Sequence, residues 1–199
     1  MLGMKLLMRW LLGIRSNDAS SATSTLRLFY TIIVHEGDLM ERGLINRGEK
    51  AQLRLQAGLC MLRLAQLPVY DGCMKHEWFQ ALALLIVVSV TALTSPQHFT
   101  FLNITFLGSF QDPCLNVRVK FAQKLHKALL SLRLPLQYMS IFSLAASDPQ
   151  KERRQQVKQF LVANISRRRE YLRTNMQANG EQLRHIRLCF RICALLEKC

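Results

Sequence analysis

Residues 112–172 read DPCLNVRVKFAQKLHKALLSLRLPLQYMSIFSLAASDPQKERRQQVKQFLVANISRRREYL. Asp112-Pro113 and Asp148-Pro149 open two basic amphipathic runs 36 residues apart. An Asp at the N-cap accepts a hydrogen bond from a free N–H of the first turn, and a Pro at the first helical position gives up an N–H that would be unpaired anyway. The spacing therefore predicts two helices in equivalent positions of consecutive repeats. On the first, Val117, Phe121, Leu125, Ala128 and Leu132 form the predicted buried stripe, while Lys120, Lys124 and Lys127 line up at i, i+4 and i+7 on another face.

Working outward, the pairs Leu53-Arg54, Val117-Arg118 and Arg153-Arg154 align three helices. The step from Arg118 to Arg154 is 36 residues, a usual helical-repeat length, whereas Arg54 to Arg118 is 64. Removing the 25 residues 87–111 shortens that step to 39 and restores the period. The same residues break the helical pattern in composition, being rich in Val, Ile, Thr and Phe that favour strand. We read residues 87–111 as a non-native insertion, a translated intron, non-helical or disordered. The expected organisation is helical repeats over 1–86, the insertion, HEAT-like repeats over 112–173, and an altered C-terminal tail over 174–199. The expected fold is all-α, a helical-repeat solenoid of the HEAT type in which each pair buries its stripe against its neighbours.

In the N-terminal part, Leu2, Leu6, Leu7, Trp10, Leu11 and Ile14 predict a buried helix face. Residues 15–23 read as a turn, and a second helix is expected over about 24–34 with Leu26, Phe29, Tyr30 and Ile33 inward. The polar stretch 35–48, with Gly37, Gly43 and Gly48, reads as a long connection. A third helix over 49–66 carries Leu53, Ala57, Cys60, Met61 and Leu64 and stops before Pro68. A fourth starts near Lys75 with Trp78, Phe79, Leu82 and Leu85. The apolar run 81–93 is too short to span a bilayer as a helix, so no membrane is expected.

Half of the 199 residues are apolar, enough for a packed core. The net charge of +14 selects for an acidic partner, either nucleic acid or an acidic protein surface. Six cysteines (60, 73, 114, 189, 193 and 199) lack the regular spacing of a secreted disulfide scaffold and read as reduced intracellular thiols.

The wording of residues 120–142, 147–161 (SDPQKERRQQVKQFL) and 164–172 (NISRRREYL), with RWLLG at 9–13, STLRL at 24–28, EGDL at 36–39 and LRLQAG at 53–58, closely resembles the precocious-dissociation-of-sisters (Pds-five) family of cohesin regulators. The resemblance covers residues 5–86 and 112–183. That family has nothing like residues 87–111 and continues differently after 183. The resemblance implies a nuclear, chromatin-associated scaffold of sister chromatid cohesion. Its implied partners are the kleisin subunit of cohesin, the Wapl-type release factor and sororin.

From the residues themselves, the candidate interaction surface is basic: Lys120, Lys124, Lys127, Arg153, Arg154, Lys158, Arg167, Arg168 and Arg169. Residues 112–173 hold 13 basic and 4 acidic side chains, a net +9. Such a field attracts phosphates or an acidic peptide. The alternative reading is therefore a basic helical-repeat protein that binds nucleic acid directly. Arg118 and Arg154 have a structural reading as well, bonding the N-terminal aspartates of neighbouring repeats. His185, Cys189 and Cys193 have metal-ligand spacing on a helix but read as plain thiols on its face. His35, Glu36 and Asp38 read as a solvated turn. The triplets Asn103-Ile-Thr and Asn164-Ile-Ser read as chance glycosylation matches. No phosphate loop or nucleophile elbow appears in the sequence, so neither an enzyme nor a cofactor is expected.

Overall fold

The third helix shows how local sequence sets an element here. Asn46 stands in extended backbone and its side chain accepts from the Gly48 N–H, while Glu49 accepts from the Asn46 N–H, a reciprocal capping box. The helix therefore begins at Arg47, two residues before the expected start, and runs to Leu64. The computed structural model describes residues 1–13, 19–39, 44–74, 76–86, 114–148 and 150–174. Among these the chain is all-α, with helices α1 (Leu2–Gly13), α2 (Ala19–Val34), α3 (Arg47–Leu64), α4 (His76–Leu84), α5 (Leu115–Leu130) and α6 (Lys151–Thr174). Two 3-10 segments, Pro68–Cys73 and Leu136–Ser147, complete the set, and no strand occurs among the described residues. The expected insertion at 87–111, the Asp112-Pro113 cap, Asn103, and the tail with His185, Cys189 and Cys193 fall outside the described residues.

The chain divides into two compact units, Met1–Phe121 and Ala122–Cys199. In the first, α2 packs on α1, α3, α4 and the Pro68–Cys73 segment, and α3 also packs on α1 and α4. Phe29, Leu26, Met61, Leu64, Leu82, Leu85 and Ile86 are fully buried there. Two long-range bonds tie α1 to this core. Tyr70 Oη donates to the Leu11 carbonyl at 2.9 Å, and the Cys60 thiol lies 3.9 Å from the Met4 carbonyl. Burial pushes the Cys60 thiol above its ordinary pKa, which keeps it protonated and unreactive.

Of the described residues on the expected face of α1, only Leu11 is buried. Met4, Met8 and Leu11 are buried, whereas Leu2, Leu6, Leu7 and Trp10 are exposed. Apolar residues occupy both sides of this helix, so periodicity cannot choose between them, and the core takes the side carrying the two methionines. α2 begins at Ala19, inside the stretch read as a turn. Its hydroxyls are absorbed by bonds to their own helix, from Thr23 to the Ala19 carbonyl and from Thr25 to that of Ser21. Tyr30 is only half-buried, and Ile32 takes a core position instead.

The connection after α2 is anchored rather than solvated. Gly37 takes φ +86°, and an added Cβ there would meet the Lys50 carbonyl oxygen at 2.6 Å. Asp38 is buried and pairs with Lys50 at 2.7 Å, and Arg54 donates to the Glu36 carbonyl at 2.6 Å.

On α5, Val117, Phe121, Leu125 and Ala128 are buried as expected. Leu132 is not on the helix: it has φ 61° and closes the helix end as a left-handed residue, three positions before Pro135. In the second unit α6 packs on the Leu136–Ser147 segment. This 12-residue 3-10 segment is longer than the usual three or four residues. Its buried residues advance in threes, Tyr138 to Ile141 and Met139 to Phe142 to Ala145, which the 3-10 repeat keeps aligned. Ser140 and Ser143 donate to carbonyls three residues back, consistent with the tighter coil.

Candidate interaction surface

Asp148 organises the start of α6. It sits in extended backbone, its N–H donates to the Ala145 carbonyl, and its Oδ1 accepts from the Gln150 N–H at 3.0 Å. The Asp148 carboxylate thus caps a free N–H just before α6, as expected of it, while Pro149 lies outside the described residues. Arg154 donates to the Asp148 carbonyl at 2.7 Å, and Arg153 Nε lies 3.7 Å from Asp148 Oδ2. Asp148 is 1% exposed and Arg153 4%, so this is an interior ion pair.

The nine basic candidates consequently separate by their surroundings. Arg153 and Arg168 are buried, which corrects their placement on a surface. Arg153 is held by Asp148 and Gln156, and Arg168 donates to the Leu134 carbonyl at 3.0 Å. Burial lowers the Arg168 pKa from its ordinary value, but a guanidinium stays charged at neutral pH. Arg154 is half-buried against the backbone of Asp148, and Arg167 is exposed but pairs with Glu170 at 3.0 Å.

Lys120, Lys124 and Lys127 are exposed on α5. Arg169 is exposed and Lys158 half-exposed on α6. Arg173, which ends the same basic run, is exposed on α6, and the structure adds Lys151, also exposed there. Their common face was readable from the helical period of residues 151–173, had the helix been taken as one element.

The arginines aligned across the repeats share an interior environment. Arg54 and Arg118 are buried, and Arg54 and Arg154 each clamp a carbonyl that precedes their own helix. The Arg54 and Arg154 guanidinium groups each satisfy a backbone carbonyl outside the helix.

Behind the α6 face, the His126 ring stacks on Phe160 with centroids 4.3 Å apart, and Phe160 is tilted against Phe142. Asn164 Nδ2 donates to the Phe160 carbonyl at 2.8 Å and to His126 Nδ1 at 3.0 Å. An amide nitrogen only donates, so Nδ1 is the acceptor and the neutral imidazole carries its proton on Nε2. Burial, with Lys127 adding to it, lowers the His126 pKa from the ordinary 6.5. Asn164 is 1% exposed, so its Asn-Ile-Ser triplet is closed to a glycan in this fold.

Among the described residues no group of three His, Cys, Asp or Glu is placed to hold a metal, and no helix is long and apolar enough to cross a membrane.

A family model described as "Sister chromatid cohesion protein PDS5 protein" matches residues 1–190, reaching past residue 183. The chain is 45% identical over 179 residues to Sister chromatid cohesion protein PDS5 homolog A of Gallus gallus and of Homo sapiens, covering 90% of this chain and 12% of each relative. It is 44% identical over 179 residues to PDS5 homolog B of Mus musculus, covering 90% of this chain and 11% of that protein. The chain thus spans about 12% of the length of the homolog A proteins it matches.

Proposed function

Because the chain belongs to the PDS5 family of sister chromatid cohesion proteins, we propose that it is a non-catalytic, nuclear scaffold that regulates cohesion by binding cohesin. The observation that carries this reading is the 45% identity over 179 residues to proteins named for sister chromatid cohesion. In it, the kleisin subunit of cohesin docks on the helical repeats, and a Wapl-type release factor and sororin act through the same array. The exposed row Lys120, Lys124 and Lys127 offers an acidic kleisin segment regularly spaced ammonium groups with no acidic residue between them.

Pull-down of a kleisin fragment by the full chain at high salt tests the reading. Retention is expected, with Lys120→Glu, Lys124→Glu and Lys127→Glu together weakening it at least tenfold. A kleisin fragment lost at high salt from a folded chain would overturn it.

The 87–111 insertion belongs to the same proposal, since its removal restores the repeat that a scaffold of stacked helix pairs needs. Transcript sequencing across the codons of Ile86 and Asp112 should find the 25 codons between them absent from the major message. A major message that contains them would reject the insertion.

A further inference from the structure

We propose that the outer face of α1 is the docking surface for an amphipathic helix of a partner protein, one that carries carboxylates along a single flank of its apolar stripe. Leu2, Leu6 and Trp10 are 73%, 55% and 53% exposed at successive four-residue steps. Side chains at this step form one ridge of a helix surface, the row that a second helix receives in the groove between its own ridges. At ~100° per residue the ridge and the exposed Leu7 span an arc of ~140°, while Met4, Met8 and Leu11 are buried on the other side of the helix. The ridge is ~12 Å long. An added Cβ at Gly3 or Gly13 would meet nothing, so a second backbone can come close at either end.

The chemistry of the partner follows from the borders of the ridge. Arg9 and Lys5 lie ~20° and ~60° beyond Leu2 and are exposed, and among the described residues no ion pair engages either. The Cys60 thiol near Lys5 is held protonated by burial and does not neutralise it. The opposite border, at Leu7, carries no charge, and the first acidic residue of the sequence is Asp18. A helix lying on the ridge therefore meets two cations on one side only, four residues and ~6 Å apart, which select carboxylates at a similar step on that flank. Trp and Arg, neighbours here, are residue types that anchor protein interfaces.

A second copy of the chain fits less well. In a two-fold antiparallel pair the same edge of each helix meets itself, which sets Lys5 and Arg9 against their own copies. An anionic bilayer fits less well too, because it is alike on both flanks of a helix lying in it, whereas α1 has cations on one flank.

The test is fluorescence anisotropy of two labelled synthetic peptides with the full chain. Both carry leucines at helical spacing on one face; one has glutamates at four-residue steps along a flank, and the other has lysines in their place. The glutamate peptide should bind at least tenfold more tightly and shift Trp10 emission to the blue, Trp78 being buried already. Leu6→Gln with Trp10→Gln should cost at least tenfold in affinity with helicity and Tm unchanged. Lys5→Glu with Arg9→Glu should abolish the preference for the glutamate peptide. The α5 variant with Lys120→Glu, Lys124→Glu and Lys127→Glu should bind that peptide like the parent chain.

Equal affinity for the two peptides, or unchanged binding after Leu6→Gln with Trp10→Gln, would overturn the proposal. Loss of binding in the α5 variant would overturn it in favour of attraction to the lysine row. Binding to phosphatidylserine vesicles with no binding of either peptide would overturn it in favour of a membrane surface. The proposal does not rest on the kleisin reading, and because kleisin retention is read through α5, failure of this test leaves the scaffold reading distinguishable.

Discussion

Asp148 shows how one residue closes two elements. Its N–H ends the 3-10 segment, its carboxylate caps α6 and faces Arg153, and its carbonyl accepts from Arg154. Replacing it by Ala removes the cap and leaves a buried guanidinium facing no carboxylate, so Asp148→Ala should cost about 2–4 kcal/mol in urea unfolding. Asp148→Asn keeps a capping oxygen and should cost less; equal losses would show that the cap contributes nothing. His126 gives a pH dependence. Its folded pKa lies below the ordinary 6.5, so the unfolded chain takes up the proton first. Stability is full above about 6.5 and falls as pH drops from there toward the folded value. Melting curves from neutral pH down to mild acid should show this decline, and His126→Gln should flatten it. An unchanged decline in the variant would place its origin elsewhere.

Among the elements, α3 depends on a close approach at Gly58. A Cβ there would collide with Leu85 Cδ1 and press on the Phe121 ring at 3.4 Å. Gly58→Ala forces the Leu85 side chain to move and should cost about 1 kcal/mol despite the better helix propensity of Ala. Gly58→Val, which adds bulk beside a ring with no room, should cost about 3 kcal/mol in the same denaturant titration. Unchanged stability in Gly58→Val would mean that the α3 packing is loose. The elements also differ in how far they were legible. α5 has its apolar residues on one stripe, and its buried face was readable, as was the Asp148 cap before α6. α1 has apolar residues on both sides of its Lys5 and Arg9 edge, and its buried side was not legible. The 3-10 segment was not read from the sequence, although Gln137, Ser140 and Ser143 recur there at threefold spacing.

For the whole molecule, the exposed Leu2, Leu6 and Trp10 sit at four-residue steps on α1 and form an apolar face at the surface of the first unit. A contiguous patch of this kind favours association, against which the +14 charge repels like chains. Raising salt screens the repulsion and leaves the apolar attraction, so light scattering should show self-association that grows with salt. Leu6→Gln with Trp10→Gln should suppress it without loss of helicity. Association that weakens with salt would assign it to charge instead.

The sequence by itself determined the all-α class, the family and the basic character, because apolar periodicity, long family-specific words and net charge are all local or additive properties. Only the tertiary structure decided which arginines are interior clamps and which cations face solvent. Arg153, Arg154 and Arg169 are alike in sequence, but Asp148 and the adjoining backbone draw the first two inward. The Asp112–Arg173 stretch therefore carries a narrower basic surface than its charge count suggests.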